Sequence, residues 1–110
     1  MAKTVLLLGL RPDVVQGAKR ELEAPGTTVI TGSGPADVRS AFSQADIDHV
    51  FIDGGLDVDT RVATVREVLQ SSDRATIHMK DHFSGPEPLV PFLRGVLNGL
   101  DTGLSRSIGS

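Results

Sequence analysis

The chain alternates short, unbroken apolar runs with longer stretches in which apolar residues recur every three or four positions. Val5-Leu6-Leu7-Leu8 is the first run, closed by Gly9. An uninterrupted apolar run of this length predicts a strand covered on both faces. Pro12 then falls where the first turn of a helix accepts a proline, and Val14, Val15, Ala18 and Leu22 share one helical stripe before Pro25-Gly26 ends it. Thr28-Val29-Ile30-Thr31 predicts a second strand, stopped by Gly32-Ser33-Gly34-Pro35, after which Val38, Ala41, Phe42 and Ala45 restore the helical spacing. Val50-Phe51-Ile52 is a third apolar run and delivers Asp53 onto the glycine turn Gly54-Gly55. The helix predicted next has Asp57 or Asp59 as its N-cap and an apolar stripe of Val58, Val62, Val65 and Leu69, and Ser71-Ser72-Asp73 closes it. Ala75 to Met79 predicts a fourth strand in which His78 points away from Ile77 and Met79. Ser84-Gly85-Pro86-Glu87 has the spacing of a capping box ahead of Leu89, Phe92, Val96 and Leu100, with a regular helix beginning near Pro88.

Four strand-helix units in strict alternation predict the α/β class: a three-layer sandwich around a four-stranded parallel sheet, flavodoxin-like or Rossmann-like, with strand order 2-1-3-4. Residues 1–100 form a single domain in this reading. Asp101 to Ser110, rich in Gly, Ser and Thr, reads as a flexible tail, although Leu104 and Ile108 leave open an added strand.

Composition narrows the partners. There is no cysteine, which excludes disulfides, thiolate nucleophiles and thiolate metal sites and fits a cytoplasmic location. Eleven basic residues against fourteen acidic ones, scattered along the chain, and only four aromatics, all Phe, argue against nucleic acid. No apolar stretch reaches spanning length, so no membrane segment is expected.

Open α/β sheets bind ligands beyond the carboxyl ends of their strands, where the strand order reverses. Order 2-1-3-4 puts that point between the first and third strands. It gathers Gly9, Leu10, Arg11 and Asp13 from one loop and Asp53, Gly54 and Gly55 from the other, while the loop after the fourth strand adds Lys80, Asp81, His82 and Ser84 near His78. The expected ligand-binding set is therefore Arg11, Asp13, Asp53, Gly54, Gly55, Lys80, Asp81, His82 and Ser84; Asp53, His82 and Lys80 are the candidates for chemistry. No metal is expected, because His78 and His82 stand four apart across a strand and a loop, where their side chains need not converge. No cofactor is expected either. Gly9-Leu10-Arg11-Pro12-Asp13 lacks two glycines of the dinucleotide-binding Gly-x-Gly-x-x-Gly, and no phosphate-binding Gly-x-x-x-x-Gly-Lys loop, Gly-x-Ser-x-Gly elbow or His-Glu-x-x-His helix occurs. Gly32-Ser33-Gly34 could offer backbone N–H groups to an anion, or its glycines could serve the turn alone.

Asp53 at the end of the third strand, together with Met79-Lys80-Asp81-His82-Phe83-Ser84 ahead of an apolar helix, resembles the receiver domains of two-component response regulators. The resemblance implies a phosphoacceptor role for Asp53 and a phosphate-reading role for Lys80. Receivers have five strand-helix units and an acidic pair at the end of the first strand to hold magnesium. This sequence has four units and Leu8-Gly9 at that place. The resemblance thus implies a degenerate receiver without standard phosphotransfer.

The function expected is a small cytosolic binding or regulatory module that engages an anionic small molecule or a protein partner at the C-terminal edge of its sheet. The alternative is a small cofactor-free enzyme using His82 or His78 as a base beside Asp53 or Asp81. A homodimer is expected, held through an edge strand or the neighbouring helix faces, with Thr28-Val29-Ile30-Thr31 the edge less defended by charge.

Overall fold

The computed structural model describes residues 3–53 and 55–79. Its elements are β1 (Lys3–Leu8), α1 (Pro12–Leu22), β2 (Thr27–Gly32), α2 (Pro35–Gln44), β3 (His49–Ile52), α3 (Val58–Ser71) and β4 (Thr76–Met79). The capping box at Ser84, the stripe from Leu89 to Leu100 and the tail lie outside the described residues. The sheet has four parallel strands in the order β2-β1-β3-β4. This is a flavodoxin-like α/β fold, and both the class and the strand order expected from the sequence are observed.

Alternation along the strands sorts the core onto two faces. Val5, Leu7, Val29 and Phe51 pack with Val15, Ala18 and Leu22 of α1 on one face. Leu6, Leu8, Val50 and Ile52 pack with Val38 and Ala41 of α2, Val68 of α3 and the connecting Ile47 and Leu56 on the other. Val5 through Leu8 are fully buried, which is why the run shows no polar alternation. On the helix side, an ion pair from Arg39 Nε to Glu67 Oε1 at 3.1 Å joins α2 to α3.

Asp48 fastens the N-terminal edge of the sheet. Its carboxylate accepts from Thr4 N at 2.8 Å, its own N–H donates to Thr4 O at 2.9 Å, and its carbonyl accepts from Thr76 N at 3.1 Å. One residue thus ties β1, β3 and β4 together at the end opposite the loops that follow β1 and β3. Between α1 and β2, the chain turns at Gly26, whose φ of 90° lies in the left-handed region that favours glycine.

The apolar stripe of α3 points away from the sheet. Asp57 is the N-cap, its side chain accepting from Thr60 N at 3.3 Å and from the Thr60 hydroxyl. With the helix set in that phase, Thr64 and Val68 are its buried residues and Val65 is only partly buried. Val58, Val62 and Leu69 remain 62%, 51% and 66% exposed. Thr64 tolerates burial because its hydroxyl donates to Thr60 O at 2.6 Å, one turn back.

Candidate functional site at the C-terminal edge of the sheet

Pairing of β1 with β3 through Leu8 and Ile52 brings the two following loops together, and Asp53 N donates to Leu8 O at 2.8 Å to extend that pairing by one bond. The half-buried Asp53 side chain stands against Gly9. A Cβ placed on Gly9 would lie 3.5 Å from Asp53 Cβ and 3.6 Å from Asp53 Oδ2, but 2.6 Å from Val15 Cγ2. Only a residue without a side chain lets α1 approach β1 this closely. Gly55 flanks the same carboxylate from the other side: its Cβ position lies 3.8 Å from Asp53 Oδ2 and 3.9 Å from Leu10 Cβ. The expected meeting of Gly9, Leu10, Asp53 and Gly55 is therefore observed.

Arg11 and Asp13 lie on the rim. Arg11 Nη2 and Asp13 Oδ2 form an ion pair at 3.3 Å with both side chains mostly in solvent, a contact that water and salt weaken. At the position where a receiver carries its acidic pair, Leu8 is fully buried. Among the described residues no group of three or more His, Asp or Glu side chains gathers that could hold a metal. Gly54, Lys80, Asp81, His82 and Ser84 lie outside the described residues.

The second loop already holds an anion of its own. Ser33 donates from its backbone N–H at 2.7 Å and its hydroxyl at 3.2 Å to Asp37 Oδ2, in the first turn of α2. A carboxylate in the chain thus occupies the position that Gly32-Ser33-Gly34 offered to a ligand, and its charge opposes a second anion. Beside it a shallow cleft of 160 Å³ is lined by Gly9, Pro12, Val15, Gln16, Thr31, Gly32 and Ser33. Gln16 Nε2 donates to Thr31 Oγ1 at 3.0 Å in its wall.

His78 is engaged on the α1-side face of the sheet instead of at the edge. Its Nε2 is 2.8 Å from Thr76 Oγ1, and that hydroxyl is 2.8 Å from Nδ1 of His49. A hydroxyl both donates and accepts, so Thr76 can join two neutral imidazoles. The His78 ring also stacks on Phe51 with centroids 5.1 Å apart. Burial, and secondarily the repulsion that a second charge would meet beside His49, hold the His78 imidazole below its ordinary pKa. The pair His49–Thr76 escaped the sequence reading. The signal was present once register is added, since His49 pairs with Thr76 and Phe51 with His78, putting all four on one face.

Fold and crevice together define a flavodoxin-like α/β module with an aspartate at its switch point. No family model matches the chain, and no curated protein or solved structure matches it.

Proposed function

We propose that the chain is a small cytoplasmic binding or regulatory module, receiver-like but degenerate, that engages an anionic small molecule or a protein partner at the crevice between the β1 and β3 loops. The observation that carries this reading is the Asp53 carboxylate held between Gly9 and Gly55 where the strand order reverses. In this role Asp53 accepts hydrogen bonds from hydroxyl or amide groups of the ligand. Arg11, released from an exposed ion pair that costs little to break, and Lys80 supply the positive charge. The buried Leu8 argues against magnesium-dependent phosphorylation as the mode of action, since magnesium prefers near-octahedral oxygen ligation and this neighbour offers none. Separately from any partner at the crevice, the chain pairs with a second copy of itself in this reading, through a surface away from the crevice.

Thermal unfolding in the presence of nucleotides, phosphorylated metabolites and acyl phosphates tests the crevice. A ligand at a hundred times its Kd adds about 2.7 kcal/mol to stability, a shift easily read on a domain of this size. Asp53→Asn and Arg11→Ala are expected to shrink the shift while leaving the unliganded midpoint within a few degrees. Absence of a shift with every compound removes the small-molecule ligand and leaves the protein partner alone.

A further inference from the structure

The outward stripe of α3 has the spacing of a helix-pairing seam. Val58, Val62, Val65 and Leu69 are separated by four, three and four residues, the alternation by which one helix presents a continuous edge to another. Three of them are more than half exposed, and they stand beside Met79 on the edge strand β4, itself 43% exposed. Between them lies an apolar cleft of 300 Å³ lined by Val58, Arg61, Val62, Val65 and Met79. The four helical members of that lining stand at i, i+3, i+4 and i+7, the outline of a hole that receives one side chain of a facing helix.

We propose that this face pairs with the same face of a second copy, the two α3 helices running antiparallel across a twofold axis. The inference rests on the reading that the chain self-associates, and it adds the surface and the register. Charge selects the direction. Asp59 and Arg66 flank the stripe on the same side, two turns apart, so they cannot reach one another within the helix, and neither has an ion-pair partner among the described residues. Antiparallel pairing sets Val58 opposite Leu69 and Val62 opposite Val65, and brings Asp59 of each copy beside Arg66 of the other. Two reciprocal ion pairs result. Parallel pairing would instead set Arg61 beside Arg66, a like-charge contact. The other exposed edge is less suited to self-association, because Glu23 Oε2 accepts from Val29 N at 3.5 Å and partly occupies the donors of β2.

Light scattering on the full chain over a range of concentrations tests the proposal together with three changes. Twice the chain mass is expected for the native protein, and Val62→Asp, at an exposed position that leaves the core intact, is expected to give the monomer with an unchanged circular dichroism spectrum. Arg66→Asp is expected to weaken the dimer by roughly tenfold or more, and Asp59→Arg/Arg66→Asp together to restore it. Because the chain has no cysteine, single cysteines report the direction: Val58→Cys mixed with Leu69→Cys should form a crosslinked dimer on oxidation, whereas Val58→Cys alone should not. Efficient crosslinking of Val58→Cys alone overturns the antiparallel register. A dimer indifferent to Val62→Asp and Arg66→Asp rejects this surface while self-association stands. A monomer at every concentration rejects both, and ligand binding at the crevice is read separately by thermal shift.

Discussion

At the scale of single residues, a few positions decide how closely the layers approach. Gly9 is the clearest. The space its missing side chain leaves is taken by Val15 of α1, and the same gap sets Asp53 against the first loop. A methyl group there meets Val15 Cγ2 at 2.6 Å, so helix and strand must separate or Val15 must change rotamer. Gly9→Ala is therefore expected to cost about 1–3 kcal/mol in urea-induced unfolding. Gly9→Ala with Val15→Ala should recover less than the whole, since the pair removes the clash but leaves buried space unfilled. Equal stability of Gly9→Ala and the native protein would show that α1 is free to shift, and with it the loop that shapes the crevice. Arg61 illustrates the opposite economy: its Nη1 reaches Met79 Sδ at 3.8 Å, while its buried Nε lacks an acceptor among the described residues. A donor left in that state weakens the fold locally.

Among the elements, α3 separates what a sequence pattern can state from what it cannot. The strands were legible because buried parallel strands are continuous in apolar residues, and their order followed from alternation with helices. The existence of α3 and its cap were legible too, since Asp57 was one of the two caps read from the sequence. Its phase was not. The most regular stripe, Val58, Val62, Val65 and Leu69, runs along the outward side, and the core side is marked by Val68 and by Thr64, a polar residue made buriable by a hydrogen bond to Thr60 O. No composition rule singles out that threonine. The candidate site divides the same way: Asp53 between glycines was legible, but the closing of the Ser33 loop by Asp37 depends on a side chain returning to its own helix start. The phase of α3 has a direct test. Val68→Ala should cost about 2 kcal/mol, because a side chain 1% exposed loses buried methyl groups. Val62→Ala, measured at dilutions that exclude self-association, should fall within about 0.5 kcal/mol of native. Reversed magnitudes would mean that the stripe faces the core.

For the molecule as a whole, the α1-side face of the sheet couples stability to pH. Strand alternation gives this face a hydrophobic half, Val5, Leu7 and Val29 beneath α1, and a polar half in which His49, Thr76 and His78 are linked through one hydroxyl, with Phe51 between the halves. Protonating His78 places a charge in partly buried surroundings beside His49, which is why its pKa in the folded chain lies below the ordinary histidine value of 6.5. The sign of the linkage follows. Above 6.5 the ring is neutral in both folded and unfolded chains and its contribution is fully present. As the pH falls below 6.5, the unfolded chain takes up the proton first and binds more protons than the folded one, so stability declines until the folded ring titrates as well. His78→Gln keeps a side chain able to bond Thr76 but removes the titration. Urea unfolding of the native protein should show stability falling as pH drops through this window, and the variant should show a shallower fall. Parallel profiles for the two proteins would place the acid sensitivity elsewhere and would free His78 from any part in it.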